Sequence, residues 1–418
     1  MAKLEITGGK KLYGQIRVAG NKNSVLPIMA ACLLTEETCI IDNVPAIADV
    51  SMMSKLLLKC GVRIHKTADR KLKISAKNFK NRVLPKELTE KLRASILLLG
   101  PLLAKNTDIK MGYPGGDVIG RRPLDVHIQI ARALGAKIRH EDDFLVASAP
   151  KLKGAEIFLG EASVTATENA VMAASLAKGE TIIKRAACEP HVIDLCNFLV
   201  KMGAKISGIG TNRLTIKGVD KLFGATHAVR PDHIEIGTFA ILAAVCSSKI
   251  EISPIIREDL DMILATFSRF GIDFRVDNQT LFITNSKLKA VEKVVTGVWA
   301  GFPTDLMAPM IVLATQSEGV TILHDWMYES RMFFVDKILS MGAKVEIADP
   351  HRVFVYGPTK LHGQRLDTPD IRAGIALVIA ACAANGKSII GNAELIERGY
   401  ENIVERLSAL GADIKRVE

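Results

Sequence analysis

Charged and amide side chains stand at the beginning of six apolar segments that are otherwise almost free of charge. These starts read Asn21-Lys22-Asn23, Arg93, Glu168-Asn169, Glu235, Thr304-Asp305 and Asp370-Ile371-Arg372. The segments behind them are typical of helices that are buried on all sides. A helix N-terminus attracts anions, and lysine or arginine placed there adds direct contacts to the same anion. The pattern favours a site for a small substrate with several negative charges, although exposed caps and surface ion pairs would show the same spacing.

A second feature that could carry chemistry is the glycine-rich stretch 112–120, GYPGGDVIG. Four glycines in nine residues are too many for the interior of a helix or strand. The stretch predicts a mobile lid that carries Asp117, or else a plain surface turn. Arg121, Arg122 and Pro123 follow at once, and we expect them to begin the next helix, which favours the lid.

Composition limits the possible partners. The 418 residues carry a formal net charge of +10, with 5% aromatic residues. This balance favours an anionic partner, but the charges form no stripe and few aromatic residues accompany them, so we expect no nucleic acid. No apolar run approaches the roughly 18–20 residues that cross a bilayer, and the first residues lack a signal-peptide pattern. We therefore expect a cytoplasmic protein with no membrane partner. The seven cysteines have no C-x-x-C spacing, which indicates reduced thiols and no metal site.

A repeated phrase organises the chain. An apolar residue, a glycine, a small residue, a charge and an aliphatic residue recur with spacings of 68 to 74 residues, around Gly61, Gly135, Gly203, Gly271, Gly342 and Gly411. Each phrase predicts a surface helix, a left-handed glycine cap and a strand. The apolar helices alternate with these phrases, at 24–34, 94–104, 169–178, 236–247, 306–315 and 373–384.

Counting the predicted elements indicates an α/β (α+β) fold of six similar βαβαββ-type units. The last unit lacks two strands, and two unclaimed strands stand at about 3–7 and 13–18. The economical interpretation is two similar lobes of three units each. The first lobe takes 21–229 with the lid loop 112–122, and the second takes 1–20 plus 230–418.

Seven phrases in order carry a resemblance to a known family: G-N-K-N (20–23), R-A-S (93–95), P-G-G-x-x-I-G-x-R-P-x-D-x-H (114–127), F-P-T-D (302–305), E-x-R (329–331), D-I-R-A (370–373) and E-R-G-Y (397–400). The whole chain resembles the enolpyruvyl transferases, above all those whose acceptor is UDP-N-acetylglucosamine. The resemblance implies their inside-out α/β barrel fold. It also implies transfer of the enolpyruvyl group of phosphoenolpyruvate to the 3-hydroxyl of the sugar, with release of phosphate, as the first committed step of peptidoglycan synthesis. It implies no metal and no cofactor.

The resemblance also assigns roles to single residues. The phosphate of phosphoenolpyruvate falls to Lys22, Arg122 and Arg398, and its carboxylate to Arg331 and Arg372. The sugar end falls to Asn23, Arg93 and Asp305, with Asp305 as the base for the hydroxyl and Asp370 as a second candidate near the reacting carbon. The uridine and diphosphate contacts fall to Arg122, Pro123, Leu124, Asp125 and His127, with Ser163, Val164 and Thr165 across from them. Thr304 and Met327 complete the predicted substrate-binding set.

The sequence departs from the family pattern at three positions. Asp117 stands where most members have a cysteine that is thought to protonate the methylene carbon of phosphoenolpyruvate, and a carboxylic acid can donate that proton if its surroundings raise its pKa. The antibiotic fosfomycin alkylates that cysteine, so the resemblance implies resistance here. Thr165 replaces a glycine of many members, and Glu161 stands where some carry lysine. Both changes bear on the acceptor site.

Three other interpretations stay open on the sequence alone. The same fold and donor could serve another acceptor, either 3-phosphoshikimate or a nucleoside. The chain could be a repeat scaffold without activity, but the cationic positions of the seven phrases are all retained. A nucleic acid binder is disfavoured by the few aromatic residues.

Overall fold

The computed structural model describes residues 2–67, 70–80, 83–105, 108–116 and 119–417. The chain divides into two compact units. The first unit comprises Gly20–Gly116 and Arg122–Arg230, and the second comprises the residues up to Ala19, the residues 119–121 and the chain from Pro231 onward. Residues 119–121 thus group with the second unit, whereas the sequence analysis placed all of 112–122 in the first lobe.

The described strands are short. Those before residue 230 are β1 (Lys3–Thr7), β2 (Tyr13–Arg17), β3 (Cys39–Asp42), β4 (Arg63–Lys66), β5 (Leu72–Ser75), β6 (Val83–Leu84), β7 (Ile109–Gly112), β8 (Lys137–Glu141), β9 (Phe144–Ser148), β10 (Glu156–Phe158), β11 (Glu180–Lys184), β12 (Lys205–Ser207), β13 (Arg213–Lys217) and β14 (Thr226–Ala228). Those after it are β15 (Lys249–Ser253), β16 (Phe274–Asp277), β17 (Thr280–Ile283), β18 (Lys293–Val295), β19 (Gly319–His324), β20 (Lys344–Asp349), β21 (Arg352–Gly357), β22 (Arg365–Asp367), β23 (Lys387–Gly391) and β24 (Asp413–Val417).

The α-helices of the described chain alternate with these strands. They are α1 (Lys22–Ala31), α2 (Ala48–Lys59), α3 (Lys86–Thr89), α4 (Leu99–Ala104), α5 (Asp125–Ala133), α6 (Val164–Ala174), α7 (Pro190–Lys201), α8 (His233–Val245), α9 (Asp261–Arg269), α10 (Met307–Thr315), α11 (Val335–Ser340), α12 (Ile371–Ala383) and α13 (Ile403–Ala409). Short 3-10 helices adjoin several of them, at Cys32–Leu34, Arg93–Leu98, Arg257–Leu260, Thr304–Leu306 and Ala393–Arg398.

The described strands form three four-stranded sheets in each unit. The orders in the first unit are β14-β3-β5-β4, β6-β7-β9-β8 and β10-β11-β13-β12. Those in the second unit are β2-β15-β17-β16, β18-β19-β21-β20 and β22-β23-β1-β24. In every sheet one outer strand runs parallel to its neighbour and the other two pairs are antiparallel. The two strands at the start of the chain are therefore built into sheets of the second unit.

Each unit has its own hydrophobic core, and three helical segments lie at its centre. In the second unit α8, α10 and α12 pack on one another, and every residue of α8 is buried. In the first unit α1, α4 and α6 take these places. A fully buried Leu or Ile side chain contributes about 1.5–3 kcal/mol, so these apolar helices hold the polar residues at their starts firmly in place.

The glycines of the repeated phrase have the predicted left-handed conformation. Their φ angles are 86° at Gly61, 96° at Gly135, 102° at Gly203, 73° at Gly271, 94° at Gly342 and 95° at Gly411. Each follows a surface helix and precedes a strand or extended segment. The prediction of six helix–cap–strand phrases is confirmed.

No described helix combines the length and the apolar character that a bilayer-spanning helix needs.

Candidate active site

Lys22 lies at the first position of α1 in the first unit. The side chain of Asn21 caps this helix, because its Oδ1 accepts hydrogen bonds from the N–H groups of Asn23 at 2.8 Å and Ser24 at 3.3 Å. The Lys22 ammonium lies 3.1 Å from Oδ2 of Asp49, at the start of α2, and both side chains are largely buried. The carboxylate therefore fixes a cation at the N-terminus of a buried helix.

Arg93 contacts Arg122, which follows the end of the glycine-rich stretch. Nη2 of Arg93 donates to the Arg122 carbonyl at 2.6 Å. A Cβ added to Gly116, whose φ is +109°, would lie 2.9 Å from Cβ of Arg93 and 3.3 Å from Nη2 of Arg122. Only glycine fits here, so the backbone closely approaches Cβ of Arg93 and the guanidinium group of Arg122. Asp117, the predicted proton donor, lies outside the described residues, and its role stays a prediction.

His127 and Thr165 are in contact, as the assignment of both to the acceptor requires. Nε2 of His127 lies 3.2 Å from Oγ1 of Thr165. The other ring nitrogen, Nδ1, lies 2.9 Å from the amide nitrogen of Asn169, which also donates to the Ile96 carbonyl at 2.9 Å. The amide oxygen of Asn169 accepts from the Gly100 N–H at 2.7 Å, which fixes the orientation of the amide.

These contacts determine which nitrogen of His127 carries the proton. Burial, with a smaller contribution from the charge of Arg93, lowers the pKa of His127 to about 3. The ring is therefore neutral, and because Nδ1 accepts from Asn169, the proton resides on Nε2 and is donated to Thr165. Oγ1 of Thr165 accepts this hydrogen bond. The hydroxyl hydrogen of Thr165, at the N-terminus of α6, can therefore donate to a different acceptor.

Two helix starts differ from the prediction. Arg121, Arg122 and Pro123 precede α5 instead of opening it, because the residue before a proline is disfavoured in helical conformation. Leu124 occupies the cap position, and Asp125 is the first helical residue; Pro123 and Asp125 are exposed.

The third buried helix begins at Val164, five residues before the predicted start. Ser163, Val164 and Thr165 therefore form its N-terminus, and Glu168 and Asn169 lie inside it, buried. Burial, and then the charge of Glu189, raises the pKa of Glu168 well above its usual value. The polar residues of α6 can be buried because neighbouring groups form hydrogen bonds with them or because they stay uncharged. A count of apolar residues along the sequence reveals neither reason.

Asp305 lies between two arginines in the second unit. Its Oδ2 accepts from Nε and Nη2 of Arg372 at 3.0 and 2.7 Å, and its Oδ1 accepts from Nη2 of Arg331 at 3.2 Å. The two arginines are almost fully buried, whereas the Asp305 side chain keeps 27% of its exposure. Three residues that the resemblance assigned to the substrate are thus one connected group with an open side at the carboxylate.

Tyr400 holds the far side of the Arg372 guanidinium. Nη1 of Arg372 donates to the Tyr400 hydroxyl at 3.1 Å, and that hydroxyl lies 2.9 Å from Oγ1 of Thr238. Thr238 itself donates to a helix carbonyl, so the Tyr400 hydroxyl donates to Thr238 and accepts from Arg372. Burial raises the pKa of Tyr400 to about 12. Burial alone would lower the pKa of Arg372, but the adjacent Asp305 carboxylate, together with Tyr400 and Asp232, outweighs burial and raises that pKa.

Asp370 and Arg398 lie near the start of α12. Oδ1 of Asp370 accepts from the N–H groups of Arg372 at 2.8 Å and Ala373 at 3.0 Å, so this carboxylate caps α12. Arg398 ends a 3-10 helix and is followed by Gly399, where an added Cβ would lie 2.7 Å from Ile371. Arg398 therefore lies close to the start of α12.

Thr304 and Met327 are joined through a residue that the sequence analysis did not single out. The carboxylate of Asp325 accepts from the Thr304 hydroxyl and, at 3.0 Å, from the Met327 N–H. Asp49 and Tyr400 were missed in the same way as partners of predicted residues, whereas Asn169 was noted only as one of the polar helix starts and not as a partner of His127. Tyr400 stands inside the E-R-G-Y phrase, which was read only for its arginine. For Asp325 and Asp49 no local signal exists.

The second unit thus joins Asp305, Arg331 and Arg372 in one group, whereas the contacts between predicted residues in the first unit are the separate pairs Arg93–Arg122 and His127–Thr165. Among the described residues, no group of three or more histidine, cysteine, aspartate or glutamate side chains is arranged to hold a metal ion.

Comparisons with known proteins identify the family of the chain. A family model described as EPSP synthase (3-phosphoshikimate 1-carboxyvinyltransferase) matches residues 6–407. A UDP-N-acetylglucosamine 1-carboxyvinyltransferase of Bradyrhizobium diazoefficiens is 50% identical over 420 residues, covering 99% of this chain and 97% of the relative. One of Treponema denticola is 47% identical over 421 residues, covering 99% of each.

Solved structures confirm the fold prediction. The enolpyruvyl transferase NikO of Streptomyces tendae has a TM-score of 0.90 at 24% identity and covers 100% of this chain and 99% of that one. EPSP synthase of Acinetobacter baumannii has a TM-score of 0.79 at 19% identity, with both chains fully covered. The chain therefore belongs to the enolpyruvyl transferase family represented by EPSP synthase, and within it groups with the UDP-N-acetylglucosamine 1-carboxyvinyltransferases.

Proposed function

We propose that this protein transfers the enolpyruvyl group of phosphoenolpyruvate to the 3-hydroxyl of UDP-N-acetylglucosamine and releases phosphate. The observation that carries the proposal is full-length identity of 43–50% to relatives that bear the name of this activity. The reaction supplies peptidoglycan synthesis. Both substrates are soluble phosphorylated metabolites, so we expect it to take place in the cytoplasm.

The second unit provides the carboxylate site and the base. In our proposal the carboxylate of phosphoenolpyruvate binds to the forked guanidinium groups of Arg331 and Arg372. It competes there with Asp305, which pairs with the same arginines in the structure. A carboxylate that loses cationic partners becomes more basic, so substrate binding prepares Asp305 to take the proton of the sugar hydroxyl.

The first unit provides phosphate and acceptor contacts. Lys22 and Arg122 bind the phosphate that leaves, and the resemblance gives the same role to Arg398. Thr165, oriented by neutral His127, donates to the diphosphate of the nucleotide sugar, and Asn23 and Arg93 hold the sugar. The remaining predicted residues, from Pro123 to Asp125 and from Ser163 to Val164, line the nucleotide.

The bond changes balance without an added reagent. The sugar 3-oxygen attacks C2 of phosphoenolpyruvate while Asp305 takes its proton, and an acid delivers a proton to the methylene C3. Sequence position assigns that acid to Asp117. Return of a proton from C3 to the conjugate base of that acid then re-forms the double bond and expels phosphate. Asp370, near the reacting carbon, is a second candidate for the base that takes the proton of the sugar hydroxyl.

Phosphate release tests the proposal. The protein is incubated with phosphoenolpyruvate and either UDP-N-acetylglucosamine or 3-phosphoshikimate, and inorganic phosphate is measured over time. We expect release with UDP-N-acetylglucosamine alone, and loss of it in Asp305→Asn. The matched control is Asp277→Asn, which removes an exposed carboxylate paired with Arg275. Release with 3-phosphoshikimate alone would overturn the choice of acceptor, and release with neither would overturn the activity.

A further inference from the structure

Asp325 is the most completely buried acidic side chain near the predicted substrate residues. It follows β19 directly and is 0% exposed. Its backbone is fixed on both sides by His351, whose carbonyl accepts from the Asp325 N–H at 2.9 Å and whose Nδ1 lies 2.7 Å from the Asp325 carbonyl. The backbone at Asp325 is therefore held in place.

The carboxylate of Asp325 is shared among several groups of the second unit. Oδ1 accepts from the Thr296 hydroxyl at 3.2 Å and from the Met327 N–H at 3.0 Å. Oδ2 accepts from the Thr304 hydroxyl and lies 3.8 Å from Nε of Arg331. One carboxylate thus reaches Thr304, Met327 and Arg331, all three of which the sequence assigned to substrates.

Arg331 lies between two carboxylates. Its Nη2 donates to Asp305 at 3.2 Å, while its buried Nε makes no hydrogen bond and faces Asp325 at 3.8 Å. A buried guanidinium needs negative charge nearby. If Asp325 carried no charge, Asp305 alone would balance Arg331, and the base would be held more tightly.

We propose that Asp325 is a positioning residue of the active site: its buried carboxylate shares the charge of Arg331 with Asp305 and thereby keeps Asp305 available as the base. The same carboxylate fixes Thr304, the residue before Asp305, and the Met327 backbone. This inference rests on the proposed function, because it gives Asp305 and Arg331 their roles.

The substitution Asp325→Asn separates charge from shape. The amide keeps an oxygen for the Met327 N–H and a nitrogen that can donate to the Thr304 hydroxyl, but it removes the negative charge beside Arg331. Arg331 then attracts an anion more strongly, so phosphoenolpyruvate should bind at least as tightly as to the wild type. Turnover should fall, because Asp305 is held more tightly.

The experiment measures kcat, KM for phosphoenolpyruvate, and phosphoenolpyruvate binding by calorimetry, for the wild type, Asp325→Asn and the exposed control Asp277→Asn. In Asp325→Asn we expect kcat to fall about 10- to 100-fold, the scale of one charged hydrogen bond, with KM unchanged or lower. The control should match the wild type. A merely structural role would weaken binding, and an unchanged kcat or a raised KM would overturn the proposal.

A second comparison, made in the Arg331→Met variant, tests the proposal if Asp325→Asn alone folds poorly. Arg331→Met removes the cation, so a further Asp325→Asn change should alter phosphoenolpyruvate affinity less than about twofold, as expected when one residue acts through the other. A large further loss would overturn the proposal. Calorimetry with phosphoenolpyruvate alone needs no acceptor, so absence of turnover in the wild type would count against the proposed function and leave the Asp325 result readable.

Discussion

Acidification should destabilise the first unit through His127. In the folded chain burial lowers the pKa of His127 to about 3, whereas in an unfolded chain it is about 6.5. Below pH 6.5 His127 therefore binds a proton in the unfolded state but stays neutral in the native state. Stability is lost progressively as pH falls from 6.5 to 3, and none of this loss occurs above 6.5. At pH 5 the linkage relation gives a loss of about 2 kcal/mol from this residue.

The variant His127→Gln isolates that contribution, because glutamine can accept from Asn169 and donate to Thr165 but does not titrate. Urea unfolding at pH 7 and pH 5 is followed by far-UV circular dichroism. Tryptophan fluorescence serves as an internal reference, since Trp299 and Trp326 both lie in the second unit. Between these pH values the wild type should lose about 2 kcal/mol more than the variant.

Two further measurements make this prediction refutable. The exposed residue His65 is the control, and His65→Gln should keep the pH dependence of the wild type. In NMR spectra of histidine-labelled protein, the ring signals of His127 should not titrate between pH 8 and pH 5. Equal pH dependence in the wild type and in His127→Gln, or a ring that titrates near pH 6.5, would refute the assignment of a neutral ring hydrogen-bonded to Thr165.

Three other predictions concern the chemistry. Intact-mass measurement after incubation with fosfomycin and UDP-N-acetylglucosamine should show no adduct on the wild type and one adduct on Asp117→Cys, because a thiolate opens an epoxide far more readily than a carboxylate does; an adduct on the wild type would contradict this. Lys22→Ala should lower turnover about 10- to 150-fold, the scale of a charged hydrogen bond, whereas Lys10→Ala, which removes an exposed ion pair, should not; equal rates in both variants would show Lys22 to be dispensable. Tyr400→Phe should raise KM for phosphoenolpyruvate and lower the free energy of unfolding by about 1–3 kcal/mol, because the buried Arg372 guanidinium loses an acceptor; an unchanged KM would show that the tyrosine does not orient Arg372.

The repeated architecture could be predicted because its signals are local. A glycine after a helix and an apolar run of ten residues depend only on residues close by in the sequence. The left-handed cap at Gly203 and the buried helix α8 could therefore be predicted. The start of α6 could not be predicted in this way. Thr167 and Asn169 look like surface residues, but Thr167 accepts from the distant Ala187 N–H and Asn169 binds the backbone of Ile96 and Gly100.

In the candidate site, too, some residues could be predicted from local sequence and others could not. Lys22, Asp305 and Arg372 stand in phrases that can be recognised by themselves. Their partners depend on tertiary structure: Asp49 comes 27 residues after Lys22, and Asp325 comes 20 residues after Asp305. No local pattern marks such carboxylates, because they are selected by the position they reach in the folded unit.

The identity of the product tests the central claim most directly. Phosphoenolpyruvate labelled with carbon-13 at C2 is incubated with the protein and UDP-N-acetylglucosamine, and the product is examined by long-range proton–carbon NMR correlation. The account predicts a three-bond correlation between the labelled carbon and the proton at position 3 of the sugar, together with signals of a terminal methylene group. A correlation to any other position, or no labelled nucleotide sugar after phosphate has been released, would contradict it.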